Sequence, residues 1–111
     1  MSKTTTIEAG APLLTLINVF TVEPARQEEL VALLATATEK AMRHRPGFIS
    51  ANIHRSLDQR HVANYAQWAS REAFEAMMAD PEAQRHMQAV SAMAQAAPVL
   101  YEVASVHGTK A

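Results

Sequence analysis

Two stretches that read as strands, Phe48 to Ser56 and His61 to Ala69, are separated by only Leu57-Asp58-Gln59-Arg60. So short a connection holds neither a helix nor a crossover, and the two must lie side by side as an antiparallel hairpin. Side chains alternate between faces along a strand, so the parity of the loop decides which residues share a face. With a three-residue loop, His54 lies opposite Asn64 and Ser50 opposite Trp68. The even-numbered face then carries Ser50, Asn52, His54 and Asn64 beside Phe48, Val62 and Trp68. The odd-numbered face, with Ile49, Ala51, Ile53, Ala63 and Tyr65, suits a dry contact with a second copy. A two-residue loop shifts the pairing by one and puts His54 and Asn64 on opposite faces.

The remaining elements arrange themselves around this hairpin. Leu13 to Val22 reads as a strand that ends at Glu23-Pro24. Pro24 suits the first turn of a helix that stops at Pro46-Gly47, with Glu28 and Glu29 near its start and Lys40, Arg43 and Arg45 near its end. Its apolar stripe is Leu30, Leu33, Leu34, Ala37, Ala41 and Met42. Ser70 caps a short helix over Arg71 to Met78, and Asp80-Pro81 restarts one that carries Ala83, Met87, Val90 and Ala94 on one face. After Pro98, Val99 to His107 alternates as a closing strand. Residues 1–12 read as a flexible arm, 13–107 as the domain and 108–111 as a tail.

The order strand, helix, strand, strand, helix, strand is a split βαβ arrangement. It predicts an α+β fold whose four-stranded antiparallel sheet has its helices on one face. The other face is left bare, and stacking on a second copy would cover it with the self-complementary contact of a twofold homodimer. Size points the same way. A chain of 111 residues, 49% apolar and 19% charged, has room for one small core and gains from an added interface.

Composition narrows the partners. The 10 basic and 11 acidic residues are scattered and nearly cancel, so no electrostatic footprint for nucleic acid is present. The chain has no cysteine, its five histidines lack close ligand spacing, and no metal is expected. The opening Met1-Ser2-Lys3-Thr4-Thr5-Thr6 has no signal-peptide apolar core, and no apolar run nears membrane-spanning length. A cytoplasmic protein with no membrane partner is expected.

At Asn64-Tyr65-Ala66-Gln67-Trp68, followed by Ser70, Glu72, Ala73 and Phe74, the chain resembles the antibiotic biosynthesis monooxygenase family. Pro46-Gly47-Phe48-Ile49-Ser50-Ala51 strengthens the match, which runs from Leu13 to Val106. The resemblance implies a ferredoxin-like βαββαβ fold, a dimeric α+β barrel, and oxidation of phenolic or polyketide-like aromatics to quinones by O2, with no metal or flavin cofactor. It is nearest to the actinorhodin-type quinone-forming monooxygenases, whose cavity residues correspond to His54, Asn64 and Trp68. Their cavity tyrosine falls at Phe74, which cannot relay a proton. Their arginine on the second helix has Arg85 nearest by type, with His86 beside it. The haem-degrading branch offers another comparison. Its first-strand asparagine matches Asn18, but its tryptophan and iron-ligand positions fall at Met77 and Met87.

Ground-state O2 reacts poorly with closed-shell organic molecules, so an oxygenase without a cofactor must first make its substrate an electron-rich anion. Neutral His54 would accept the proton, and the Asn64 amide and Trp68 indole N–H would stabilise the negative charge. Asn18, Asn52, Phe74, Met77, Arg85 and His86 are the candidate substrate-binding residues. Plainer readings stand beside these: Trp68 as a core aromatic, Asn52 and Asn64 satisfying strand ends, His54 on the surface, and the methionines of the second helical region filling space. A non-catalytic barrel that binds a small hydrophobic metabolite is the alternative from another class.

Overall fold

The computed structural model describes residues 3–109. Strand β1 (Leu14–Val22) leads through a tight turn at Pro24–Arg26 into helix α1 (Gln27–Lys40). Another turn at Met42–His44 leads to β2 (Phe48–Arg55) and β3 (His61–Trp68). Helices α2 (Arg71–Met78) and α3 (Pro81–Ser91) and strand β4 (Ala94–Tyr101) complete the chain. The strands form one antiparallel sheet in the order β2-β3-β1-β4. This is the ferredoxin-like α+β fold that the element order predicts. Residues 1, 2, 110 and 111, the ends of the expected arm and tail, lie outside the described residues.

Of the three helix starts read from the sequence, the two at Ser70 and Asp80 are capped by side chains. Ser70 Oγ accepts from the Ala73 N–H at 3.1 Å, and Asp80 Oδ2 accepts from the Ala83 N–H at 3.0 Å. Each cap satisfies an amide that the first turn leaves unpaired. Asp80 also receives a hydrogen bond from Arg45 at 3.1 Å, which ties the end of the α1 region to the start of α3.

The last strand departs from the sequence reading. It begins at Ala94, which therefore does not belong to the helix face, and it ends at Tyr101 well before His107. Ala94-Gln95-Ala96-Ala97 has helical local preference, but pairing with β1, from Val22 opposite Ala94 to Thr15 opposite Tyr101, overrides it. Pro98 sits inside the strand because β4 is at the sheet edge, where a missing N–H can go unpaired.

The hairpin also departs from the three-residue-loop reading. Its loop has four residues: the Ser56 N–H donates to the His61 carbonyl at 3.0 Å, which leaves Leu57 to Arg60 outside the ladder. Asp58 organises this turn by accepting from the Ser56 hydroxyl and the Arg60 N–H, which hold its carboxyl below the usual aspartate range. An even loop pairs His54 with Ala63 and Ile53 with Asn64, the register of the two-residue alternative. Ala51 and Ile53 consequently share the inner, helix-covered face with Asn64, Ala66 and Trp68. Asn52 and His54 lie on the outer face with Ala63 and Tyr65. Neither face is the all-even or all-odd set expected. A bulge at Ile49 restores the parity, so that Phe48 pairs with Trp68.

Gly47 makes the approach to β2 possible. Its φ is +84°, and a Cβ there would stand 2.4 Å from the Ala73 Cβ on α2. Its carbonyl accepts from the Ala69 N–H at 2.7 Å, which closes the sheet end against α2.

Two apolar clusters hold helices to sheet. One joins Phe20, Val22 and Val62 to Leu30 and Leu34 of α1 and Val90 of α3. The other joins Trp68 to Met77 and Ala83, with Phe48, Phe74 and Met87 packed against it. On the outer face the arm crosses its own sheet: Thr5 Oγ1 lies 2.6 Å from Asn52 Oδ1, and Gln67 Nε2 donates to the Thr6 carbonyl at 2.8 Å. Among the described residues, no helix is long and apolar enough to cross a membrane.

Candidate active-site cavity

Between the two clusters the sheet and helices do not close on one another, and a cavity of about 280 Å³ remains. Its sheet side is made by Leu16 and Asn18 of β1 and Asn64, Ala66 and Trp68 of β3. Phe74 and Met77 of α2 and His86 and Met87 of α3 form the opposing wall, with Met42 and Phe48 at one side. Its lining is predominantly apolar, with a few polar groups converging on it, the usual make-up of a small-molecule site.

The polar groups differ in how they are engaged. Asn18 and Asn64 are direct partners across β1 and β3 and share the inner face. Asn18 Oδ1 accepts from the Ala97 N–H at 3.1 Å, which fixes that amide. Asn64 Oδ1, by contrast, is buried and has no partner among the described residues. Leaving a buried acceptor unpaired costs about 1–3 kcal/mol, so a cavity-lining amide held in this state is suited to a ligand that completes it. The hydroxyls of Thr38 and Ser91 donate to the carbonyls of Leu34 and Met87 in their own helices.

Trp68 is 2% exposed and held edge-on by two rings: Phe48 at 5.5 Å between centroids and Phe74 at 6.4 Å. Such T-shaped packing leaves the indole little freedom and fixes the direction of its N–H. Phe74 therefore serves as a wall that orients Trp68, at the position where the resemblance implies a tyrosine.

Of the residues singled out from the sequence, Asn18, Asn64, Trp68, Phe74, Met77 and His86 line this cavity. His54 does not: it is exposed on the outer face, its Nδ1 3.0 Å from the Asn52 carbonyl oxygen. Asn52 is on the same face, where its amide donates to the Tyr65 carbonyl at 2.8 Å. Loop parity removed both. Arg85 is exposed on α3. Successive helical residues point roughly 100° apart, and His86 is three residues from buried Ala83 and four from buried Val90, so it turns inward and Arg85 does not. Thr38 and Met42 also line it: Met42 belongs to the apolar stripe read from the sequence but was not singled out for the site, and Thr38, four residues from both Leu34 and Met42, lies on the same stripe. Among the described residues, no group of three or more His, Asp or Glu side chains is placed to hold a metal ion.

Residues 13–89 match the antibiotic biosynthesis monooxygenase family, and the chain belongs to it. It is 44% identical over 103 residues to the tetracenomycin-F1 monooxygenase of Streptomyces glaucescens, covering 93% of this chain and 92% of that one. Among solved structures it resembles the monooxygenase from the gene ActVA-Orf6 of Streptomyces coelicolor, determined in complex with nanaomycin D. There the identity is 30% and the TM-score 0.80, over 87% of this chain and 92% of the other. It also resembles SnoaB, a cofactor-independent oxygenase from Streptomyces nogalater, with 27% identity and a TM-score of 0.71 over 86% of this chain and 97% of that one.

Proposed function

We propose that this protein is a monooxygenase that oxidises a flat, phenolic, polyketide-like aromatic to a quinone with O2 and needs no cofactor. The observation that carries the reading is the buried, unpartnered Asn64 Oδ1, an acceptor suited to a phenolic O–H, on the same apolar cavity wall as the Trp68 indole. The 44% identity to a tetracenomycin-F1 monooxygenase supports the reaction class.

The stoichiometry closes without an external reductant. An aromatic-flanked methylene that becomes a carbonyl gives up four electrons, which reduce one O2: one oxygen atom stays on carbon and the other leaves as water. The protein's task is to stabilise the substrate anion that meets O2 and the peroxide that follows. The Trp68 N–H is a donor held by two flanking rings, the Asn64 Nδ2 on the same sheet face is a second, and such donors act strongly where water is excluded. The walls of Phe48, Phe74, Met77 and Met87 suit a planar ring system, and the thioethers adapt to its outline.

The functional unit is a homodimer closed through the outer sheet face. The arm covers its β2–β3 side, while Val19, Val99 and Tyr101 on β1 and β4 stay 38%, 48% and 46% exposed. A second copy laid on these residues would bury them.

Oxygen uptake by the purified, metal-free protein with anthrone, naphthol and hydroquinone substrates tests the reading. Trp68→Phe retains most of the aromatic packing and removes the N–H donor, so uptake falls by about 10²–10³ while circular dichroism stays native. No uptake above buffer across the panel would instead favour a metabolite-binding barrel.

A further inference from the structure

Deprotonation of the substrate needs an acceptor, and the structure removes the one expected from the sequence, since His54 faces away from the cavity. The position where the family resemblance implies a tyrosine holds Phe74, whose ring has no exchangeable proton. The Asn18 and Asn64 amides and the Trp68 indole do not titrate near neutrality, and the Thr38 and Ser91 hydroxyls donate to backbone carbonyls. Among the described residues, the cavity lining has a single titratable side chain, His86.

We infer that His86 is the proton acceptor of this site, a catalytic residue that takes the substrate proton and returns it to the bound peroxide. The inference rests on the monooxygenase reading and deepens it. His86 is half-buried on α3, so its imidazole has one side in the cavity and another within reach of solvent, as a proton shuttle requires. It faces Asn64 and Trp68 from the opposing layer, so acid–base chemistry comes from the helices and charge stabilisation from the sheet. Among the described residues, no charged side chain lines the cavity to compete with it. On its own helix Glu82 and Arg85 are exposed. Asp80 is occupied by Arg45 and by the Ala83 amide. The α1, α2 and β4 elements that pack on α3 contribute no acid or base to the lining.

With anthrone as substrate the steps balance. A C10–H proton passes to an imidazole nitrogen, and the electron pair delocalises onto the carbonyl oxygen. O2 then bonds to C10, and the peroxide takes the proton back from the imidazolium. The second C10 proton passes to the imidazole as the O–O bond breaks. The departing hydroxide takes up that proton as water, leaving anthraquinone.

The test compares wild type with His86→Gln, and with His86→Asn as a second variant should the first not fold. Anthrone is added without oxygen, and binding is read from quenching of the single tryptophan, Trp68. In wild type the long-wavelength absorbance of the anthrone anion appears on binding. In the variant quenching persists, the anion band does not form, and oxygen uptake falls by about 10²–10⁴, partly restored by added imidazole. Active wild type together with a variant that keeps the anion band and full uptake overturns the His86 assignment alone. So does loss of anthrone binding in step with uptake, which would make the role structural. Wild type that takes up no oxygen overturns the monooxygenase reading, and the assignment with it.

Discussion

Gly47→Ala isolates the contact that lets β2 start against α2. Two costs arise at this position. The first is conformational: φ is +84°, a region where a side chain on an L-residue costs about 1–2 kcal/mol. The second is steric. The new Cβ would stand 2.4 Å from the Ala73 Cβ, with Ala69 at 3.6 Å behind it, so the strand and α2 must separate. Overpacking of this kind costs about 1–3 kcal/mol. Together they give a loss of about 2–5 kcal/mol, a large share of the 5–15 kcal/mol typical of a whole domain. For a chain of this size that corresponds to a fall in Tm of roughly 10–20 °C, read by circular dichroism and by the urea midpoint. A second variant separates the two costs. Ala73→Gly alone loses about 1 kcal/mol of helix propensity, but in the Gly47→Ala background it removes the clash and recovers about 1–3 kcal/mol. The φ cost remains in the double variant. If Gly47→Ala unfolds with wild-type stability, or if the two substitutions add within about 0.5 kcal/mol, the close-approach argument is wrong.

Asn64→Leu removes the buried unpaired carbonyl and fills part of the cavity, so stability rises by about 1–3 kcal/mol at unchanged urea m-value while oxygen uptake is lost. A variant less stable than wild type would mean that the amide is satisfied in the resting protein. Val99→Lys places a charge on the outer face of β4, and sedimentation should then find monomer where wild type sediments as dimer. A variant that still sediments as dimer would place the interface elsewhere.

The reach of the sequence can be judged residue by residue. Asn64 and Trp68 were placed together because residues four apart on one strand must share a face, whatever the strand pairs with. Ser70 and Asp80 were placed at helix starts because their side chains cap the backbone within three residues of themselves. Gly47 and Pro46 marked the stop before β2 for equally local reasons. Ala94 to Ala97 misled because local preference and tertiary pairing disagree there, and pairing with β1 won.

His54 is the clearest case of what locality cannot decide. Its own strand alternates as expected, but its face relative to Asn64 depends on one residue more or less in the loop, and four residues from Leu57 to Arg60 put it outside. The bulge at Ile49 then moves Phe48 back inside, a change of parity that no pattern in β2 announces. Likewise Arg85 and His86 are adjacent in the chain, and only the seating of Ala83 and Val90 on the core turns the imidazole into the cavity and leaves the guanidinium in water. The sequence by itself therefore determined the order of the elements, the helix starts at Ser70 and Asp80 and the Asn64–Trp68 pair, because each follows from periodicity or capping within a few residues. The tertiary structure alone decided which histidine joins them, because register and helix rotation are set by contacts between segments far apart in the chain.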